Sequence, residues 1–149
     1  MSTLTFTLLP HLQRRLLDHF YRQHGSRMRA AGEGKQWVAR AGEMIAGMNL
    51  ITVADGRWLT GLFVVPDWRG QRVAARLIEA GLQGTAGPTW LFCEPQLAPF
   101  YERLGFSVTE QLPEALASRL ARYRRSKPLL ALVRNQSSAT SSPGNSTSV

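Results

Sequence analysis

The stretch most suited to chemistry is VVPDWRGQRVAARLIEAG, residues 64–81. A β-branched run stops at Pro66, passes through Trp68, Arg69 and Gly70, and becomes a small-residue segment carrying Arg72 and Arg76. A helix that opens after a glycine-containing turn presents unpaired main-chain N–H groups and the positive end of its dipole, an arrangement that suits phosphate. Arg69 and Arg72 add full charges beside those amides. Ala74 and Ala75 keep the first turn small, so that a bulky ligand can approach the backbone. The segment reads as an anion cradle at the carboxyl end of a strand. The plainer alternative is a strand-to-helix turn whose arginines are simply solvated.

A second stretch, APFYERLGFSV at residues 98–108, carries Tyr101 in a short segment ending in glycine and phenylalanine. The phenol of Tyr101 has an ordinary pKa near ~10 and keeps its proton at neutral pH. Glu94 lies just upstream, at the carboxyl end of the apolar run. The bland readings are a core-edge aromatic for Tyr101 and a solvated strand-end charge for Glu94. The three histidines, His11, His19 and His24, have no cysteine or paired carboxylate at ligand spacing. They read as surface residues, and no metal is expected. The single cysteine, Cys93, rules out an intrachain disulfide, fits a small buried hydrophobe, and makes a reducing cytoplasm the natural setting.

The elements that must position these residues follow from periodicity. Leu4 to Leu9 alternates as a strand, and His11 to His24 carries Leu12, Leu16, Phe20 and Tyr21 at helical spacing. Residues 25–34 hold three glycines and read as a loop. Strands follow over Gln36–Ala41, Met44–Ala54 and Arg57–Val65, the last two joined by an Asp55-Gly56 hairpin turn of type I′. Gly61, inside the third strand, predicts a bulge or a close backbone approach. A helix from about Gly70 to Gln83 buries Val73, Leu77, Ile78 and Gly81, and the apolar run at 90–93 is a strand covered on both faces. Strand, helix and strand form a βαβ unit, so its two strands are parallel. A short helix over Ala98–Leu104 ends at Gly105; a strand over Phe106–Thr109, a helix over Pro113–Arg125 and a strand over Leu129–Val133 complete one domain, residues 1–134. Residues 135–149 are serine-rich and uncharged, and are expected to be disordered.

The order V-V-P-D-W-R-G-Q-R-V-A-A-R-L, a buried strand, and P-F-Y-E-R-L-G-F resembles the GNAT superfamily of acetyl-CoA-dependent N-acetyltransferases. The resemblance spans roughly residues 3–134, with its motifs at about 62–108. It implies a single α/β (α+β) domain with a mixed, mostly antiparallel central sheet splayed between two parallel strands and flanked by helices. It implies acetyl-CoA as cosubstrate, gripped by Arg69, Gly70, Gln71, Arg72, Val73, Ala74 and Ala75 at the pyrophosphate. The main chain of Leu62, Phe63 and Val64 is then expected to pair with the pantetheine arm like an added strand. An amide near Val64 would face the thioester carbonyl. Tyr101 matches the position that supplies a proton to the leaving thiolate; for the base, Glu94 is the first candidate by its place at a strand end, Glu33 and Glu43 are weaker ones, and solvent water is a further route. In the family's pyrophosphate pattern, [Q/R]-x-x-G-x-[G/A], Arg69 fills the first position and Ala74 the last, but Arg72 replaces the middle glycine. The acceptor is expected to be a primary amine of a small molecule or peptide, bordered by the loop at 25–34 and in reach of His24. The resemblance also admits a homodimer.

Composition bounds the alternatives. A net charge of +8 attracts anions of several kinds. Arg119, Arg122, Arg124, Arg125 and Lys127 around Tyr123 allow a second reading as a nucleic-acid-binding protein, although no recognised DNA- or RNA-binding pattern accompanies them. A third reading keeps the fold and makes the chain a non-catalytic coenzyme A-binding regulatory module. The N-terminal residues lack a signal-peptide pattern, and no run approaches the ~18 apolar residues of a membrane span.

Overall fold

The computed structural model describes residues 3–136. Its strands are β1 (Thr5–Leu9), β2 (Lys35–Ala41), β3 (Glu43–Val53), β4 (Gly56–Val64), β5 (Gly87–Cys93), β6 (Ser107–Val108) and β7 (Leu130–Gln136). The helices are α1 (Arg14–Gln23), α2 (Val73–Leu82), α3 (Ala98–Glu102) and α4 (Glu114–Tyr123). The strands follow the hydrogen-bonded order β1-β2-β3-β4-β5-β7-β6, with β4 and β5 parallel and the rest antiparallel. This is the mixed α/β (α+β) sheet with flanking helices that the resemblance implied. Among the described residues no helix is long and apolar enough to cross a membrane, and no group of three or more His, Cys, Asp or Glu could hold a metal ion.

Two compact units divide the chain. The first comprises the described residues up to Ile51 together with Leu59–Gln83. Its core gathers Leu9, Leu17, Phe20, Tyr21 and Val38, with Met44, Phe63 and Val65 packed against them. Half of the stripe expected on α1 is buried, Phe20 and Tyr21, and half is not. Leu12 is 92% and Leu16 46% exposed, whereas Leu17, Phe20 and Tyr21 are buried. A 3-10 turn at His11–Gln13 precedes α1 and leaves Leu12 outside the helix, while within α1 the buried face runs through Leu17, Phe20 and Tyr21, with Leu16 at its edge. Each large apolar side chain taken from water in this way contributes about 1.5–3 kcal/mol. In α2 the expected face is the buried one: Val73, Leu77, Ile78 and Gly81, joined by Leu82.

The second unit holds Thr52–Trp58 and the described residues from Gly84 onward. Its parallel ladder aligns Arg57 with Thr89 and Trp58 with Trp90, while β5 pairs along its full length with β7. The Arg57 guanidinium fastens the ladder by donating to the Ala86 carbonyl at 2.8 Å and to Thr89 Oγ1 at 3.1 Å.

Three boundaries differ from expectation for local reasons. The hairpin turn is Ala54-Asp55, with Ala54 left-handed at φ 51, and Gly56 lies in β4. Glycine is required at 56 because a Cβ there would collide with the Pro88 carbonyl oxygen, a constraint of the neighbouring strand rather than of the turn. β5 starts at Gly87, ahead of the apolar run, because β7 supplies partners for the earlier residues. β7 in turn continues through Asn135 and Gln136, opposite Pro88 and Gly87, so the strand reaches into the segment expected to be disordered. The rest of that segment, 137–149, lies outside the described residues.

Candidate active site

Within the first unit, β4 ends at Val64 and leads through a 3-10 turn, Pro66–Trp68, into the segment before α2. Helix α2 opens at Val73, three residues later than periodicity alone suggests. The preceding residues adopt conformations a helix cannot contain. Gly70 has φ 81, and Arg72, the N-cap, has φ 64 and ψ 19. Arg72 therefore occupies the left-handed region in which the motif's glycine would be at ease. The conformation is kept despite the missing glycine, at a cost of about 1–2 kcal/mol. The amides of Val73, Ala74 and Ala75 belong to the first helical turn, where N–H groups have no intrahelical acceptor. Ala74 and Ala75 are half-buried, and Arg69, Gly70, Gln71 and Arg72 are exposed. A Cβ added at Gly70 would meet nothing within 4 Å, so the turn is open to an incoming group. Consecutive amides, a positive dipole end and two guanidinium groups are a donor set suited to a diphosphate.

Arg69 bends back from this turn. Its Nε donates to the Val64 carbonyl at 2.7 Å, and its guanidinium carbon lies 5.3 Å from the centre of the Phe63 ring. The structure thus brings three of the expected binding residues, Phe63, Val64 and Arg69, into direct contact. Leu62 and Phe63 are half-buried on β4 and Val64 is buried. The amide of Val65 is already committed to the Ile45 carbonyl at 2.9 Å. Gly61, just before this stretch, has φ 70, and its carbonyl accepts a 2.6 Å hydrogen bond from the Tyr21 hydroxyl. Of the two readings of that glycine the close approach is the one seen: the backbone is left-handed, and the Asn49 and Tyr21 side chains lie against it.

Sequence reasoning missed the polar network behind Gly61. Asn49 is fully buried in an apolar strand. Its Oδ1 accepts from the Ala31 amide at 2.8 Å, and its Nδ2 donates to the Arg29 carbonyl at 3.0 Å. Gln36, also buried, donates to the Ala31 carbonyl at 2.6 Å. The loop at 25–34 is held by these two side chains and by Asp18, whose Oδ1 accepts from the Ala30 amide at 2.8 Å. An asparagine in the middle of MIAGMNLITV was the available signal, since a buried amide must be satisfied.

Within the second unit, Tyr101 lies on α3 against Phe100 and Phe106, with ring centres 5.0 and 6.0 Å away. Burial pushes its phenol up to about 12, and the Cys93 thiol adds to the rise. Cys93 is 5% exposed, and burial, then the carboxylates of Glu102 and Glu94, push its thiol up. Glu94 follows β5, half-buried, with one oxygen accepting from Gln96 at 2.6 Å and the other 3.8 Å from the Lys127 ammonium. The basic cluster near α4 is largely engaged within the unit. Arg119 sits over the Trp58 ring at 4.8 Å, Arg124 donates to the Leu129 carbonyl at 2.9 Å, and Lys127 faces Glu94.

Residues 9–126 match the family model described as an acetyltransferase (GNAT) domain. Solved structures agree in fold. The ribosomal-protein alanine N-acetyltransferase of Escherichia coli is 17% identical with a TM-score of 0.64, over 92% of this chain and 96% of that one. An acyl-CoA N-acyltransferase from Pseudomonas aeruginosa is 17% identical with a TM-score of 0.62, over 89% of this chain and 99% of that one. The N-acetylglutamate synthase of Neisseria gonorrhoeae, complexed with coenzyme A and N-acetyl-glutamate, is 16% identical with a TM-score of 0.65, over 91% of this chain and 36% of that one. No curated protein matches the chain in sequence.

Proposed function

The chain belongs to the GNAT acetyltransferase family, and from that premise we propose that it moves an acetyl group from acetyl-CoA to a primary amine of a small molecule or peptide by direct attack in a ternary complex. The observation that carries the reading is the turn before α2. Arg72 pays a left-handed backbone to open the helix where a diphosphate can reach the amides of Val73, Ala74 and Ala75. Arg69, Gly70, Gln71 and Arg72 line the approach, and the main chain of Leu62, Phe63 and Val64 receives the pantetheine arm. Because Arg69 already holds the Val64 carbonyl, Val64 offers chiefly its amide, the group suited to stabilising charge on the thioester oxygen.

Acetyl-CoA supplies an activated acyl carbon. The acceptor nitrogen forms a bond to it as the carbon–sulfur bond breaks, and the nitrogen gives up a proton. Tyr101 returns a proton to the departing sulfur, a role favoured by a phenol that burial keeps protonated. Glu94 takes the nitrogen's proton, directly or through water. Lys127 and Gln96 hold its carboxylate in place. Cys93 is no substitute nucleophile, because its surroundings disfavour the thiolate that an acyl-cysteine route requires. The structural neighbours include enzymes named for protein and for amino-acid acceptors, so likeness alone leaves both acceptor classes open.

Calorimetry on the purified protein, with thiol release measured over a panel of amines, tests the reading. Acetyl-CoA is expected to bind one per chain, with a KM in the usual range of about 1 μM–1 mM. Failure of both acetyl-CoA and coenzyme A to associate with folded protein removes the proposal.

A further inference from the structure

The first unit contains a cavity of about 260 Å³ that no step above uses, lined by Leu16, His19, Phe20, Gln23, His24, Arg40, Glu43 and Met44. Arg40 and Glu43 give it opposite charges from the two sides of the tight β2–β3 turn at Gly42. Among the described residues neither side chain has an ion-pair or hydrogen-bond partner. The buried ring of Phe20 forms an apolar wall with Met44. Phe20 and His24 also contact Phe63, at 5.9 and 6.1 Å between ring centres, which joins the cavity to the stretch of β4 proposed to receive pantetheine.

From this juxtaposition we infer that the cavity holds the acetyl acceptor, and that the acceptor is a free α-amino acid with an apolar side chain. The inference rests on the acetyltransferase reading given above and narrows its acceptor. Two unpaired charges of opposite sign complement a zwitterion: Arg40 takes the carboxylate in the forked geometry a guanidinium favours, and Glu43 attracts the ammonium end. A polyamine would meet repulsion from Arg40, and a phosphorylated ligand would meet it from Glu43. Size points the same way, since pockets for drug-sized ligands run about 300–1,000 Å³ and this one is smaller. Phe20 and Met44 accept the apolar side chain. Once bound, the ammonium gives up one proton to free its lone pair and a second as the carbon–nitrogen bond forms and the carbon–sulfur bond breaks; the departing sulfur takes one proton back, so one proton is released per acetyl group transferred.

The test uses the full chain saturated with acetyl-CoA and compares free leucine, leucine amide and spermidine as acceptors. Leucine is expected to be acetylated, and leucine amide, lacking the carboxylate, to show a KM raised about tenfold or more. Arg40→Gln should raise the leucine KM about tenfold while moving the acetyl-CoA KM less than about twofold, and Arg40→Lys should recover part of the loss. A leucine KM unmoved by Arg40→Gln, or a best acceptor without a carboxylate, overturns the inference. Binding of leucine alone, followed by NMR on the His24 and Met44 side chains, separates the two claims. Shifts there without turnover on any amine support the ligand assignment and remove acetyl transfer. Turnover on other amines with no leucine shift overturns the ligand assignment alone.

Discussion

Tyr101 and Cys93 stand together on the second unit, and burial acts on them in one direction: both are held in their protonated forms. For the phenol this suits the proposed mechanism, because a general acid must arrive with its proton. For the thiol it means inertness. Tyr101→Phe is expected to lower kcat about 10²–10⁴-fold with little change in acetyl-CoA binding, read by steady-state kinetics and calorimetry. Because the Tyr101 phenol is pushed from 10.0 to about 12, no fall in rate caused by its ionisation should occur below about pH 11. A pH profile of kcat with an alkaline limb near pH 9 that vanishes in Tyr101→Phe would contradict this. Cys93→Ala should leave turnover within about twofold of the parent, and iodoacetamide at neutral pH should leave the native thiol unlabelled, as mass spectrometry can verify. The bland reading of Cys93 and the chemical reading of Tyr101 thus come from one local environment.

At the scale of elements, two backbone devices shape the first unit's site. One is the left-handed N-cap of α2. Replacing Arg72 by glycine should relieve about 1 kcal/mol of strain and raise Tm by roughly 2–4 °C, whereas Arg72→Ala, which keeps a Cβ, should not. Comparing acetyl-CoA affinity across the pair separates the loss of a guanidinium from the relief of the backbone. The other device is Gly61, where a Cβ would lie 2.7 Å from Asn49 Nδ2 and 2.9 Å from the Tyr21 oxygen at φ 70. Gly61→Ala should cost about 2–4 kcal/mol in denaturant unfolding, strain and crowding together. Tyr21→Phe is the milder probe. It removes the 2.6 Å bond to the Gly61 carbonyl and should cost about 1–3 kcal/mol. Asn49 lies against both Gly61 and the loop at 25–34, so one buried amide ties β4 to a surface loop that has little periodicity of its own.

For the whole molecule, the consequence of two buried phenols is a defined alkaline limit. Tyr21 is raised by burial first and by the Asp18 carboxylate second, and Tyr101 by burial and then Cys93. Raised folded-state values mean that folding favours the bound proton. That contribution is complete below the unfolded value near 10.0 and is lost as pH climbs through the folded values. Thermal unfolding between pH 9 and 12 should therefore show Tm falling chiefly above about pH 10, and the fall should be shallower in a Tyr21→Phe, Tyr101→Phe double variant measured against its own neutral-pH Tm. The net charge of +8 is expressed on a surface where Arg119, Arg124 and Lys127 are bound to their own unit. At physiological salt random oligonucleotides are expected to produce no mobility shift, since only non-specific attraction to the net charge remains and salt screens it. A salt-sensitive shift would revive the nucleic-acid reading.

What the sequence determined by itself was whatever local physics dictates. Alternation and helical spacing placed the seven strands and the buried face of α2, and the run from Trp68 to Ala75 marked the turn that opens α2, because a glycine turn and small residues are local requirements. Tertiary structure alone decided the rest. Leu12 and Leu16 sit on a helical period but are exposed, since Leu12 falls in a 3-10 turn ahead of α1 and packing selected the face of Leu17, Phe20 and Tyr21. Gly56 looked like a turn residue and proved to be cleared for the Pro88 carbonyl. Arg69 became a strap on Val64, and Arg40, Glu43 and Phe20 came to share one cavity. These are contacts between residues far apart in the chain or facing across a turn, and they depend on side-chain direction and burial, which no short window of sequence encodes.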